Sequence, residues 1–116
     1  MMSILIYHNP HCSKSRQTLA LLQKNKVTPE IIDYLSSPPS ENELSEIIKK
    51  LNISVHDLVR KNEKIYKVIT EKNPAPTDSQ LIQAMATNPI LIQRPIVIKG
   101  EKAVIGRPPE NVLEIL

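Results

Sequence analysis

The only cysteine among the 116 residues, Cys12, has surroundings that favour chemistry at its sulfur. It follows a β-prone run and precedes residues with helical spacing, so we expect it at a helix N-terminus, where free N–H groups and the helix dipole favour negative charge. Only a thiolate is nucleophilic, and such a position lowers a thiol pKa. The hydroxyls of Ser13 and Ser15 are further candidate donors. A buried filler role is the alternative, but the polar run "HNPHCSKS" favours a reactive thiol.

Arginine is scarce beside lysine, with 4 arginines against 11 lysines, so each arginine position is informative. Arg16 lies beside the thiol, Arg60 is at the end of a predicted helix, and Arg94 and Arg107 each precede a proline. A guanidinium binds oxyanions through two parallel hydrogen bonds and stays charged, whereas lysine acts as a point charge. A surface role is equally consistent with Arg16 alone. For Arg94 and Arg107 the pattern indicates an oxyanion site near Cys12.

Other residues near the thiol narrow the chemistry. His8 and His11 titrate near neutrality and are candidates to hold a proton or favour the thiolate. One cysteine without an H-x-x-x-H spacing predicts no metal site. Ser15 replaces the second cysteine of a C-x-x-C redox pair, and the three residues between Cys12 and Arg16 are too few for the phosphatase loop.

The first 35 residues are predicted to form a βαβ unit. Ser3–Tyr7 is a short β-prone run before a turn, and the helical spacing from Ser13 onward predicts a helix. Pro29–Leu35 reads as a second strand, parallel to the first because a helix connects them.

Helices are predicted in the middle of the chain. Ser40 and Glu43 have the spacing of a capping box, and residues 54–62 can form another short helix. A proline-rich loop at 71–80 leads into a helix at about Asp78–Asn88. The apolar residues after the capping box recur at helical spacing: Leu44, Ile47, Ile48 and Leu51.

A hairpin and a last helix complete the predicted fold. Two β-branched runs, 95–98 and 103–106, flank the turn signal "KGEK", and 108–116 reads as a helix that begins at a proline. This order predicts an α/β, thioredoxin-like fold: a four-stranded mixed sheet with flanking helices and a helical insertion at about 37–88. The length predicts a single domain over 1–116.

Composition limits the classes of partner. The net charge of +3 is spread along the chain and only 3% of residues are aromatic, which disfavours nucleic-acid binding. No targeting leader or membrane-spanning run is visible. A lone cysteine in a small domain fits a reducing cytoplasm. Without a coiled-coil pattern we expect a monomer.

The motifs resemble those of the glutaredoxin-coupled arsenate reductases, most closely their short bacterial branch. The likeness covers nearly the whole chain: "IYHNPHCSKSRQTL" matches the family's opening, "LVRKN" its central arginine motif, "NPILIQRPIV" its third motif and "IGRPPENVLEIL" its ending. Where that family commonly has Gly-Thr after the cysteine, this chain has Ser13 and Lys14. Lys14 either assists anion capture or marks a branch with a different oxidised substrate.

The resemblance implies a cycle that needs one protein cysteine. Cys12 attacks arsenate held by Arg60, Arg94 and Arg107, glutathione meets the adduct as co-substrate, and glutaredoxin resolves the mixed disulfide. No bound cofactor is implied. The resemblance also implies a cis peptide bond before Pro95, beside the thiol.

Two other functions fit the same sequence. The first is a thiol oxidoreductase of this fold that uses Cys12 on another oxidised substrate. The second is a non-catalytic regulator of the same fold that binds RNA polymerase, although the redox-sensing members of that group commonly carry C-x-x-C at the turn where this chain has C-S-K-S.

Overall fold

The structure is a computed structural model that describes residues 3–116. These residues divide into two compact units. The sheet unit consists of the chain up to Ser37 together with Arg94–Leu116, and the helical unit is Pro38–Gln93. The predicted insertion lies almost wholly in the helical unit, and the single-domain organisation of 1–116 stays a prediction.

The sheet unit contains four strands in the order β2-β1-β3-β4. β2 is parallel to β1, and β3 is antiparallel to both β1 and β4. This confirms the predicted four-stranded mixed sheet. The strands are β1 (Ile4–His8), β2 (Glu30–Asp33), β3 (Ile96–Lys99) and β4 (Lys102–Ile105).

Apolar side chains from the sheet and its flanking helices form the core of this unit. Helix α1 (Ser13–Lys24) connects β1 to β2, and a 3₁₀ helix, Pro109–Glu114, packs against α1 and β4. The β3–β4 hairpin turns at Gly100, whose φ of 60° favours glycine. The buried residues of this core are Ile6, Leu22, Val97, Val112 and Ile115.

The helical unit contains four α-helices and a 3₁₀ turn. Helix α5 contacts α2, α3 and the turn Pro89–Leu91. An isolated β-bridge joins Val59 to Ile92, and the Gln93 N–H donates to the Leu58 carbonyl, so the unit continues past the predicted end of the insertion at about residue 88. The helices are α2 (Glu41–Leu51), α3 (Val55–Leu58), α4 (Lys64–Lys72) and α5 (Asp78–Thr87).

Local capping explains where α2 and α5 begin. Ser40 and Glu43 form the predicted capping box, and Thr77 and Gln80 form a second one. In each box the hydroxyl accepts from the backbone of the third helical residue, whose side chain accepts from the capping residue's N–H.

Three element predictions differ from the structure. The short helix predicted at 54–62 is limited to α3, because Val59 instead forms the β-bridge to Ile92. Helix α4 was not expected; it begins without a side-chain cap and buries none of its residues, so its local signal is weak. The helix predicted at 108–116 is a 3₁₀ helix over Pro109–Glu114, and it begins at a proline as predicted.

Candidate active site around Cys12

The thiol lies at the N-terminus of α1, as predicted. β1 ends at His8, and after a short turn the Cys12 N–H donates to the Asn9 carbonyl at 3.0 Å. Cys12 is then the N-cap residue of α1, with extended backbone angles. Although the flanking sequence is polar, the Cys12 side chain is buried, with 9% relative exposure. The sulfur therefore occupies a largely desolvated position at the positive end of a helix.

Hydrogen bonds and charge favour the thiolate of Cys12 over the thiol. Burial opposes ionisation, but it is outweighed by backbone N–H groups of Ser15 and Lys14 and by the hydrogen bond and charge of Arg94. The pKa of the Cys12 thiol is consequently below its ordinary 9.0. This is the electrostatic environment that a nucleophilic cysteine requires.

The hairpin brings two of the predicted arginines to the thiol. Arg94 precedes β3 and Arg107 follows β4, and both Arg–Pro peptide bonds are cis, the first as expected and the second not. The Arg107 Nε donates to the Arg94 carbonyl at 2.7 Å, which orients its guanidinium, and its Nη2 lies 3.4 Å from the Cys12 sulfur. Two guanidinium groups thus meet one sulfur.

Arg94 has donor atoms that are not used by other residues of the described chain. Its Nε and Nη1 atoms are buried, and neither donates to an acceptor within residues 3–116. Buried N–H groups are normally paired, because leaving one unpaired costs about 1–3 kcal/mol. A multi-oxygen anion beside the sulfur would supply acceptors for them.

The third predicted arginine, Arg60, belongs to the helical unit. Its Nε lies 3.2 Å from a carboxylate oxygen of Glu63, and its Nη1 lies 3.5 Å from the Gln93 amide oxygen. Its backbone N–H donates to the Leu91 carbonyl at 2.7 Å. Arg60 is half-buried, and a carboxylate already partners its guanidinium.

His8 and Ser15 form a buried hydrogen-bonded pair beneath the turn. The His8 Nδ1 is 2.6 Å from the Ser15 hydroxyl, which also accepts from the Asn9 N–H at 3.0 Å. Burial lowers the pKa of His8 below its ordinary 6.5; the nearby Asp33 carboxylate opposes this effect and Arg16 reinforces it. The backbone N–H of Ser15 therefore stabilises the Cys12 thiolate, whereas the Ser15 hydroxyl is hydrogen-bonded to His8.

The remaining candidates lie at the surface or in the backbone of the site. Ser13, Lys14 and Arg16 are exposed on the first turn of α1, and Arg16 donates to the Pro10 carbonyl at 3.3 Å. Pro95 is buried directly after Arg94. Lys14 and Arg16 therefore present their charges to solvent around the turn.

Two positioning contacts were not anticipated from the sequence. The Asn111 side chain donates to the carbonyls of Ile105 and Arg107, both at 3.1 Å, and so holds the loop that carries Arg107. Thr18 of α1 approaches Gly106, the residue before Arg107. The glycine next to an Arg–Pro pair was the available signal for the second contact.

Other features of the described residues add no second candidate centre. No group of three or more His, Cys, Asp or Glu side chains in residues 3–116 could hold a metal ion. Within the same residues, no helix is long and apolar enough to cross a membrane. A groove of about 770 Å³, bordered by Ile4, Lys26 and Lys99 among others, lies at the start of β1, whereas Cys12 follows its end.

This chain is similar to known proteins over nearly its whole length. The profile of the ArsC family matches residues 7–115. A protein of Haemophilus influenzae named arsenate reductase is 51% identical over 99% of this chain and 100% of its own length. Escherichia coli K12 has a 47% identical relative, named uncharacterized protein YfgD, covering 97% of this chain and 96% of that protein.

A solved structure extends the comparison to the fold. The structure named arsenate reductase from Vibrio cholerae has a TM-score of 0.95 and 46% identity, and the match covers 99% of this chain and 98% of that one. This agreement confirms the thioredoxin-like fold. The chain, with its buried thiol and paired arginines, belongs to the ArsC family.

Proposed function

We propose that this protein reduces arsenate to arsenite through the Cys12 thiolate, with glutathione as co-substrate and glutaredoxin as the protein that regenerates the thiol. The observation that carries the proposal is the meeting of one sulfur with two guanidinium groups. Arg107 lies 3.4 Å from the sulfur, and Arg94, whose hydrogen bond and charge lower the pKa of the thiol, has two buried donor atoms that find no acceptor within residues 3–116. The names of the relatives supply the substrate.

The first step is attack of the sulfur on arsenic. The thiolate forms a sulfur–arsenic bond, and one arsenate oxygen leaves as water after protonation. Charge accumulates on the remaining oxygens, where fixed guanidinium donors stabilise it more than they stabilise the free anion. Arg94 and Arg107 fill this role. Arg60 is proposed as a third oxyanion ligand because it occupies the central arginine motif of the family that this chain resembles.

The second step is the reduction itself. A glutathione thiolate attacks the Cys12 sulfur, a disulfide bond forms, and the electron pair of the sulfur–arsenic bond passes to arsenic. Arsenate and two thiols thereby give arsenite, one disulfide and one water. Glutaredoxin then removes glutathione from Cys12 by thiol–disulfide exchange. The cycle requires no second cysteine and no bound cofactor.

The test is arsenate-dependent oxidation of NADPH in the presence of glutathione, glutathione reductase and glutaredoxin. Wild-type protein is compared with Cys12→Ser, whose folding is checked by circular dichroism. We expect turnover that requires both Cys12 and glutaredoxin. Turnover by Cys12→Ser contradicts the nucleophile, and full turnover without glutaredoxin contradicts the coupling.

A folded wild-type protein that has an ionised thiol but no arsenate turnover contradicts the proposed substrate. The same assay with other oxyanions and with oxidised thiols then tests the broader oxidoreductase function.

A further inference from the structure

Gly106 lies where α1, the Arg94–Pro95 link and the loop after β4 meet. Its N–H donates to the Pro95 carbonyl at 2.9 Å. Its carbonyl is 3.3 Å from the Thr18 hydroxyl, which is also 2.8 Å from the Lys14 carbonyl in the first turn of α1. One residue therefore ties three segments together beside the thiol.

The contact leaves no room for a side chain at Gly106. A Cβ atom there would lie 2.5 Å from the Thr18 Oγ1, 2.8 Å from the Pro95 Cγ and 3.0 Å from the Thr18 Cγ2. Real Cβ contacts are longer than the first two of these distances. Gly106 is not among the residues with positive φ. Space, and not backbone conformation, excludes other residues at this position.

Both guanidinium groups at the sulfur depend on the segments that Gly106 joins. Arg107 is its neighbour in sequence, and Pro95, against which a Cβ would press, directly follows Arg94. The two arginines are also linked to each other, because the Arg107 Nε donates to the Arg94 carbonyl. A displacement at Gly106 would therefore reach both arginines.

We propose that the close contact between Gly106 and Thr18 is a positioning device, which sets the distance of Arg94 and Arg107 from the Cys12 sulfur. Gly106 and Thr18 are positioning residues, since their hydrogen bonds are to Pro95 and Lys14 and to each other, and not to the sulfur. For arsenate binding the inference rests on the proposed function, whereas for the thiolate it stands independently.

The test uses the two glycines of the chain as a matched pair. Gly106→Ala adds a methyl at the crowded contact. Gly100→Ala adds the same methyl at the hairpin turn, where a φ of 60° strains alanine and lowers stability at the end of the hairpin away from the arginines. Thr18→Ala removes both Thr18 atoms that a Cβ at 106 would meet, and the double variant combines Gly106→Ala with Thr18→Ala.

The readout is pH titration of the thiolate absorbance, in which Cys12 is the only thiol; Cys12→Ser supplies the baseline for the three tyrosines. We expect Gly106→Ala to raise the pKa of the Cys12 thiol, and to slow alkylation at acidic pH about threefold, because charge-assisted donors move away from the sulfur. Gly100→Ala should leave the titration unchanged despite its lower stability, and the double variant should recover much of the wild-type titration.

An unchanged thiolate titration in Gly106→Ala overturns the proposal, as does an equal change in Gly100→Ala. Should Gly106→Ala fail to fold, the single variant Thr18→Ala provides the test, because it removes both the donor to the Gly106 carbonyl and the side-chain atoms of the close contact; a wild-type titration in that variant also counts against the proposal. If the wild-type protein reduces arsenate, Gly106→Ala is further expected to raise KM more than it lowers kcat. If the wild-type protein does not reduce arsenate, the thiolate titration still tests the positioning role of Gly106 and Thr18.

Discussion

A guanidinium beside a thiolate stabilises the sulfur anion and also presents donors to an approaching oxyanion. Arg94 is suited to both roles, since it lowers the pKa of Cys12 and retains unpaired buried N–H groups. The planar fork of arginine makes parallel hydrogen bonds to two oxygens, which a lysine ammonium cannot reproduce.

We therefore expect Arg94→Lys to lower kcat/KM for arsenate about tenfold, although the charge is kept, because the bidentate geometry is lost. Arg94→Gln, which loses both charge and fork, should be more severely impaired. Steady-state kinetics of the two variants and the wild type measure this order. Wild-type kinetics in Arg94→Lys would show that the charge alone is needed.

The titration of Cys12 is itself a prediction. In the folded protein the alkylation rate should rise with pH at a lower pH than in the same protein unfolded in urea, because the native pKa lies below the ordinary 9.0. Because the thiol pKa is lower in the folded protein, the thiolate contributes stability that is fully present when the pH is above the pKa of the unfolded state. This stability is lost as the pH falls through the pKa of the folded state. Alkylation by iodoacetamide, followed by mass spectrometry, compares the two states. A native profile at or above the unfolded one contradicts the environment described for the thiol.

At the scale of elements, the two capping boxes of the helical unit have a measurable role. The Ser40 hydroxyl accepts from the Glu43 N–H at 3.1 Å, and the Glu43 carboxylate accepts from the Ser40 N–H at 3.0 Å. Ser40→Ala should lower the free energy of unfolding by about 1 kcal/mol, the usual effect of removing an N-cap side chain. Urea denaturation measures the change. Ser79→Ala, at an exposed position in the first turn of α5, is the control, and an equal loss in both variants would count against the cap.

Local signals explain which elements could be predicted from the sequence. The capping box at Ser40 and the hairpin turn at Gly100 each depend on residues that are close together in the sequence, so both could be predicted. Helix α4 has no capping side chain and buries no residue, so neither local signal nor packing identified it. The Thr18–Gly106 contact joins residues 88 apart in sequence, and only the folded chain reveals it.

At the scale of the whole chain, some residues of the candidate site could be predicted from the predicted elements and others could not. The thiol, Arg94 and Arg107 belong to the sheet unit, where the βαβ unit and the hairpin imply their proximity. Arg60 belongs to the helical unit, so its role follows from the family motif and not from residue spacing. The dependence of Arg107 on Asn111 and Gly106 required side-chain distances.

The buried His8 is expected to make the stability of the protein depend on pH. Its side chain is 7% exposed and hydrogen-bonded to Ser15. Because burial lowers its pKa below the ordinary 6.5, with Asp33 opposing and Arg16 reinforcing the shift, the unfolded chain binds a proton more readily than the folded one. The contribution is fully present above the unfolded pKa and is lost as the pH falls toward the native pKa.

The urea concentration at the unfolding midpoint of the wild type should therefore decrease as the pH is lowered from about 7.5 to about 5.5. This range spans the ordinary histidine pKa. His8→Asn keeps a hydrogen-bonding atom near the position of Nδ1 but cannot titrate, so its midpoint should vary less over that range. His11→Asn changes an exposed histidine of the same turn and should follow the wild type. If His8→Asn and His11→Asn show the same pH dependence as the wild type, His8 is not the residue whose protonation destabilises the fold.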